Sequence, residues 1–446
     1  PRAKLRASGF PSSLRPRTLR VSSVQRLGAA SFTSTSLSVA KLRLLDGIPF
    51  AGPGTGNQPR AMNAARRIVT SGPENSETPL EHVPSWVTPN RLFFVRNHFE
   101  PPAAGEARAW ELNLEGLVTR PGRWTLAQLE AMPQHSVFAT VECAGNGRSF
   151  LKEKAAGVQW GAGAIGHAEW TGVRLRDLLE PAGVKAAATE VIFEGADHGE
   201  EDGHQMNFSR SLPLEKALHP DTLVALRMNG EPLEPNHGAP LRLFVPGWYG
   251  VASVKWLRTM RVTDQPYQGY FQTKKYAIIR DGRRQPLGPG SVKSEVLTPP
   301  AGAAVGAGTL RIAGVAWAGE AGVSRVDVST DGGRTWQAAH LKGIDQPYSW
   351  RQWEALWTVT APGDYEILSR AHSGRGESQP FDYNPDNLGY LINVVRPISV
   401  RVKPGTNSQA EFADPRTWSL YMEAYAEENR RRPLDVQLAF TAGDGI

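Results

Sequence analysis

The chain has 446 residues, 40% hydrophobic and 21% charged, enough for two or three folded domains with real cores. No apolar run approaches the roughly 18–20 residues of a membrane helix, so no membrane partner is expected. The single cysteine, Cys143, excludes an internal disulfide and any multi-cysteine zinc or iron–sulfur centre.

The net charge of +6 is unevenly spread. Residues 1–70 carry ten Arg and two Lys against one acid, Asp46, a net of +11. Residues 71–446 carry 38 basic and 43 acidic side chains, a net of −5. The body is mildly acidic, so no nucleic-acid partner is expected.

Residues 1–61 are rich in Arg, Ser, Ala and Gly and poor in large apolar side chains. They read as a disordered basic tail. The Arg-rich, acid-poor composition also fits a transit peptide, against the plainer reading of upstream sequence without function. Met62 is the first methionine. A chain starting there has no export signal, which leads to a cytoplasmic expectation, and to a periplasmic one if a signal has been lost.

Residues 62–285 read as α+β. Strand-like runs at Val137–Val141, Glu190–Phe193 and Leu241–Val245 alternate with helical spacing at Leu126–Met132 and Leu175–Leu179. A third helix is expected over Leu212–Leu218, capped by Ser211 with Pro213 in its first turn.

Residues 286–403 read as an all-β, immunoglobulin-like sandwich. Strands are expected at Leu310–Trp317, Val323–Ser329, Trp336–His340, Trp353–Val359 and Tyr365–Ala371. Asp331, Gly332 and Gly333 form the turn of a hairpin. Residues 404–446 read as a C-terminal extension. Its short helix starts at Asp414 and Pro415 and gathers Trp418, Tyr421, Met422 and Tyr425 on one face.

Cys143 follows a strand-like run and opens the segment Cys143–Ser149 (CAGNGRS). Glycines let such a loop turn tightly or approach a ligand closely. Arg148 is placed to stabilise a thiolate. Chemistry alone leaves two readings open, a ligating thiolate and a buried structural cysteine. The ten histidines form no paired zinc motif. A metal at Cys143 would therefore need a cofactor that brings most of its own donor atoms.

Cys143–Ser149 resembles the molybdenum-ligand loop of the sulfite oxidase family. Thr88–His98 (TPNRLFFVRNH) resembles that family's first cofactor segment. Asn236–Arg242 (NHGAPLR) and Val245–Gly247 followed by Ser253–Leu257 (SVKWL) resemble its pterin-binding segments. Ser329–Trp336 resembles a hairpin of its dimerisation domain. The resemblance runs in order over about residues 80–403.

The resemblance implies a bacterial-type, haem-free enzyme carrying molybdenum on a molybdopterin, with Cys143 as the protein's metal ligand. It implies cofactor contacts at Phe94, Asn97, His98, Asp197, His237, Arg242, Ser253, Val254 and Lys255. It implies catalytic or substrate-facing roles for Arg96, Arg148, Tyr276 and Trp160. The implied reaction is oxidation of sulfite to sulfate by oxo transfer. Electrons would pass to an external acceptor such as a cytochrome c, and the chain would form a homodimer. Two positions depart from the family's pattern: Gly389 and Ala252 stand where arginines are usual. Gly389 motivates an alternative substrate, as in a sulfoxide or oxyanion reductase or a sulfane dehydrogenase. A non-catalytic binding protein built on the sandwich is the remaining alternative.

Overall fold

A computed structural model describes residues 65–80, 86–103 and 109–406. The expected basic tail and the expected C-terminal helix lie outside the described residues.

Two five-stranded sheets organise the first half of the chain. One has the strand order Gly122–Thr125, Glu111–Gly116, Leu257–Thr263, Glu190–Glu201, His204–Pro213. Alternation drives it: Leu112 and Leu114 point inward from one strand, and Val191 and Phe193 from another. The same alternation carries Asp197 to the buried face, past an irregularity in register between Glu194 and His198. The second sheet joins Glu231–Pro232, Leu223–Met228, Ile165–Arg174 and His135–Glu142, with Arg242–Phe244 on Leu223–Met228. A small three-stranded sheet adds Arg67–Ser71, Glu74–Glu77 and Val95–Arg96.

Helices are few and short. Thr125 and Gln128 form a reciprocal capping box at Leu126–Ala131. Arg176–Ala182 ends on Gly183 in the left-handed region. The third helix is only Leu214–Ala217, and Ser211 does not cap it. Ser211 and Leu212 instead pair with Ile192 and Val191 inside a strand, and the Ser211 hydroxyl accepts from Gln272.

The second half is one continuous eight-stranded sheet that folds over into a two-layer sandwich around Trp353, Trp357, Ile312, Val326 and Ile367. The long strand Ala304–Trp317 belongs to both layers. Its first residues pair in parallel with Ile398–Thr406, and residues 308–316 pair antiparallel with Arg351–Val359. The expected strand Trp336–His340 is two pieces. Gln337–Ala338 pairs with Val323–Ser329, and His340–Lys342 pairs with Arg351–Val359, so the chain changes layer between them. The Asp331 turn closes as expected, its carboxylate accepting from the Arg334 and Thr335 amides and the Thr335 hydroxyl.

The two halves meet in an aromatic seam. Trp86 and Trp350 donate their indole N–H groups to each other's carbonyls. His167 packs on both rings, at 4.4 and 5.6 Å between centroids. A second tie is the segment after the last hairpin of the sandwich, where Tyr390 and Leu391 pack on the core of the first half.

Burial holds the His167 pKa down at about 3, against about 6.5 when exposed. Between these values the unfolded chain binds a proton that the native state refuses, so stability rises with pH across that window. His167→Phe should flatten the slope by about 1.4 kcal/mol per pH unit between pH 4 and 6. Urea unfolding of both proteins at several pH values in this range measures the difference.

Candidate active site

Several chain segments converge on one cleft. Strand Val95–Arg96 delivers Arg96 and His98. Cys143 enters directly after strand His135–Glu142. The short helix Pro235–His237 and strand Arg242–Phe244 bring His237 and Arg242. Ser253 and Lys255 follow the short helix Gly250–Ala252. Phe94, Asp197 and Tyr276 are the other lining residues that the sequence suggested.

The cleft gathers positive charge away from water. Arg96, Arg242 and Lys255 line it with Asp197 as the one carboxylate among the described lining residues. Burial drives the Lys255 pKa well below its usual range, with Arg242 adding repulsion and Asp197 opposing. Burial lowers Arg242 to about 10. It raises Asp197 to about 7 despite Lys255. His237 is held down at about 3 by burial and by Arg242 and Lys255, so it is neutral near pH 7. Two buried polar atoms, Asp197 Oδ1 and Arg242 Nε, have no hydrogen-bond partner. Unpaired buried charge and unmet donors are costly unless a ligand satisfies them.

Neutral groups hold the cations in place. Lys255 Nζ donates to the Asn97 side chain and, at 3.0 Å, to the Asn236 carbonyl. Asn97 Nδ2 donates to Asn236 Oδ1 at 3.1 Å. Asn97 thus acts from behind the cleft wall. Val254 is fully buried, its carbonyl accepting from Leu243 N, and it sets the direction of Ser253 and Lys255 on either side.

At the other end, Arg96 Nη2 donates to the Tyr276 hydroxyl at 3.2 Å, and His98 Nε2 lies 2.7 Å from the same oxygen. Burial raises Tyr276 to about 12, with Arg96 opposing, so it stays a neutral phenol. Burial and then Arg96 drive the His98 pKa well below its usual value, so that ring is neutral too. The Cys143 thiol is raised by burial, with Arg96 as the largest opposing influence.

Arg148 and Trp160 do not line the cleft. Trp160 is fully buried in the core cluster that also contains Cys143, Phe93 and Phe94. Arg148 donates to the carbonyls of Gly389 and Val158, at 3.0 and 2.9 Å, and its guanidinium lies 5.3 Å from the Tyr390 ring centre. Gly145 and Gly157 make room for it: a Cβ at either would stand within 2.7 Å of guanidinium nitrogens. Asn236, Phe208 and Tyr390 are site residues that sequence reasoning missed. Asn236 opens the segment that contains His237, which was its available signal. Phe208 stacks on His98 at 4.8 Å, and Tyr390 accepts from the Tyr276 amide; neither carries a local signal.

Cations lining a low-dielectric cleft favour an anionic ligand. Inorganic phosphate should therefore raise the thermal midpoint of cofactor-free protein. At ten times its Kd the gain is about 1.4 kcal/mol. Arg242→Met and Lys255→Met should each remove most of it, as scanning calorimetry with and without phosphate would read.

Comparison with known proteins identifies the two halves of the chain. Residues 98–271 match the oxidoreductase molybdopterin-binding domain, and residues 290–402 match the molybdenum-cofactor oxidoreductase dimerisation domain. The chain is 37% identical to sulfite oxidase of Gallus gallus over 370 residues, 78% of this chain and 77% of that protein. It is 35% identical to mitochondrial sulfite oxidase of Drosophila melanogaster over 370 residues, 76% of this chain, and spans 64% of that protein's length. The sulfane dehydrogenase SoxCD of Paracoccus pantotrophus shares the fold with a TM-score of 0.68 and 29% identity, over 79% of this chain and 92% of that one. The chain belongs to the sulfite oxidase family of molybdenum-cofactor oxidoreductases.

Proposed function

We propose that the protein oxidises sulfite to sulfate on a molybdopterin-bound molybdenum and passes the electrons to an external acceptor. The observation that carries this reading is the cleft itself, with a buried thiol at one end and excess buried cations along its wall. The residues fit the cofactor. Arg242, Lys255 and Ser253 suit a phosphate, the unpartnered Asp197 carboxylate suits a pterin N–H, and Cys143 offers one soft donor. Among the described residues no cluster of three metal-ligating side chains exists, so the remaining donors would come from the cofactor. Bound there, the cofactor supplies the two-electron redox chemistry and the oxygen transfer.

The reaction balances as sulfite plus water giving sulfate, two protons and two electrons. In this reading Arg96 holds the anion, its guanidinium already aimed by Tyr276 and the Asn97 carbonyl. Tyr276 remains protonated and offers a hydrogen bond beside the reacting oxygen. Neutral His98 shares the Tyr276 hydroxyl and fixes its orientation. Phe208, stacked on His98, excludes water from this end. Arg148 and Trp160 act from behind, Trp160 as packing in the core cluster that includes Cys143 and Arg148 through its bond to the Gly389 carbonyl. A homodimer through the sandwich half and a cytoplasmic location belong to the same reading.

A different sulfur substrate is favoured by one observation. Gly389 adopts a positive φ of 82°, and a Cβ there would stand 2.5 Å from the Ala155 Cβ. An arginine therefore does not fit at this spot, and Tyr390 with Arg148 fills the region instead. The anion-binding charge is one arginine lower accordingly, and the sulfane dehydrogenase with the same fold supports a sulfur substrate other than sulfite.

Sulfite-dependent reduction of an artificial acceptor, on protein of known molybdenum content, tests the two readings. Cys143→Ser should abolish turnover. Arg96→Gln should raise the sulfite KM about 10–100-fold, the worth of one charge-assisted hydrogen bond. Full molybdenum content without sulfite turnover would refute the sulfite reading and leave the sulfane one.

A further inference from the structure

A buried chain of charges crosses from the first half into the sandwich directly behind Cys143. Glu142, the preceding residue, is 7% exposed. Its Oε2 accepts from Trp317 Nε1 at 2.8 Å, and its Oε1 accepts from Asn146 Nδ2 at 3.1 Å. Lys293 Nζ lies 3.4 Å from Glu142 Oε1 and donates to the Asn146 carbonyl at 3.2 Å. It also stands 3.8 Å from Glu295 Oε1, whose other oxygen accepts from Arg396 at 2.5 Å. Anion and cation alternate through the four residues.

The geometry brackets the thiol. Glu142 is one residue before Cys143 and Asn146 is three after it, and one ammonium from the sandwich holds both. Asn146 then ties the loop shut. Its amide donates to the Cys143 carbonyl at 2.9 Å, and its Oδ1 accepts from Ala164 N at 3.0 Å. Lys293 and Trp317 are themselves register partners on adjacent strands, so the two donors arrive as one rigid pair.

Stability alone does not account for this arrangement. Apolar side chains of similar volume commonly serve a core as well as a buried ion network or better. What directed bonds add is orientation.

We propose that Lys293 and Trp317 are positioning residues of the redox site. The sandwich fixes the direction of the Cys143 side chain by clamping Glu142 and Asn146. The inference rests on Cys143 as the cofactor's thiolate ligand and is independent of which sulfur compound is oxidised.

The test uses full-length, cofactor-loaded Lys293→Met, Lys293→Arg, Trp317→Phe and Cys143→Ser. The readouts are molybdenum per chain, the thermal midpoint and the visible sulfur-to-metal absorption band. At equal molybdenum content, Lys293→Met should shift the band and lower kcat about 10–100-fold, the usual cost of losing a partner behind a metal ligand. KM should stay within about twofold, because substrate groups are untouched. Trp317→Phe should move the band in the same direction by less, and Lys293→Arg should return it towards the parent. Trp317→Phe decides alone if Lys293→Met does not fold, since it removes one hydrogen bond and keeps the packing. A parental band in both Lys293→Met and Trp317→Phe overturns the inference, as does a band that weakens only in proportion to lost molybdenum. A band unchanged in position and intensity in Cys143→Ser at equal molybdenum content overturns the ligand assignment beneath it. A band lost there but unmoved in the Lys293 and Trp317 variants overturns the positioning role alone.

Discussion

Excess positive charge held in a low-dielectric cleft is the constraint around which this molecule is built. Arg96, Arg242 and Lys255 would repel one another and the burial would cost each its hydration. The fold answers with neutral acceptors rather than carboxylates. Asn97, Asn236 and backbone carbonyls hold the cations, and burial keeps His237 and His98 uncharged. A ring of acids would have quenched the cleft and removed its affinity for anions. The asymmetry is therefore functional: charge is supported sterically and left electrostatically unspent.

Some of this was readable in the sequence because it is local. The glycines after Cys143 announce a loop that must pass close to something, and that something includes the Arg148 guanidinium. The alternation that buries Val191 and Phe193 extends to Asp197. Arg242 and Lys255 look like surface charges singly, and only their place within ordered segments suggests otherwise. Other features are set by contacts far along the chain. The direction of Arg148 depends on the Gly389 carbonyl, 241 residues away. Lys293 meets Glu142 across 151 residues, and no window of sequence separates such a pair from two solvated charges. The expected Ser211 cap fails for a related reason. Pairing with a neighbouring strand outweighs the local preference of Ser and Pro for starting a helix.

The division into an α+β half and a β-sandwich is real in the sheets and blurred at the site. The segment around Asn387–Leu391 leaves the sandwich and packs on the first half. Asn387 accepts from Arg280, Gly389 accepts from Arg148, and the Leu391 amide donates to the Ala144 carbonyl. Residues behind the cleft wall are thus held by the part of the chain that family comparison assigns to dimerisation. The lining itself comes from the first half.

This excursion has a consequence for synthesis. Residues near 96, 143 and 197 emerge from the ribosome long before residue 391. Until then Arg148 lacks its carbonyl cap and Ala144 lacks its backbone partner. Every lining residue of the cleft, the last being Tyr276, is therefore made before the segment that braces it from behind. Truncation before residue 387 would spare the lining residues and much of the first core while leaving Arg148 and Ala144 unbraced.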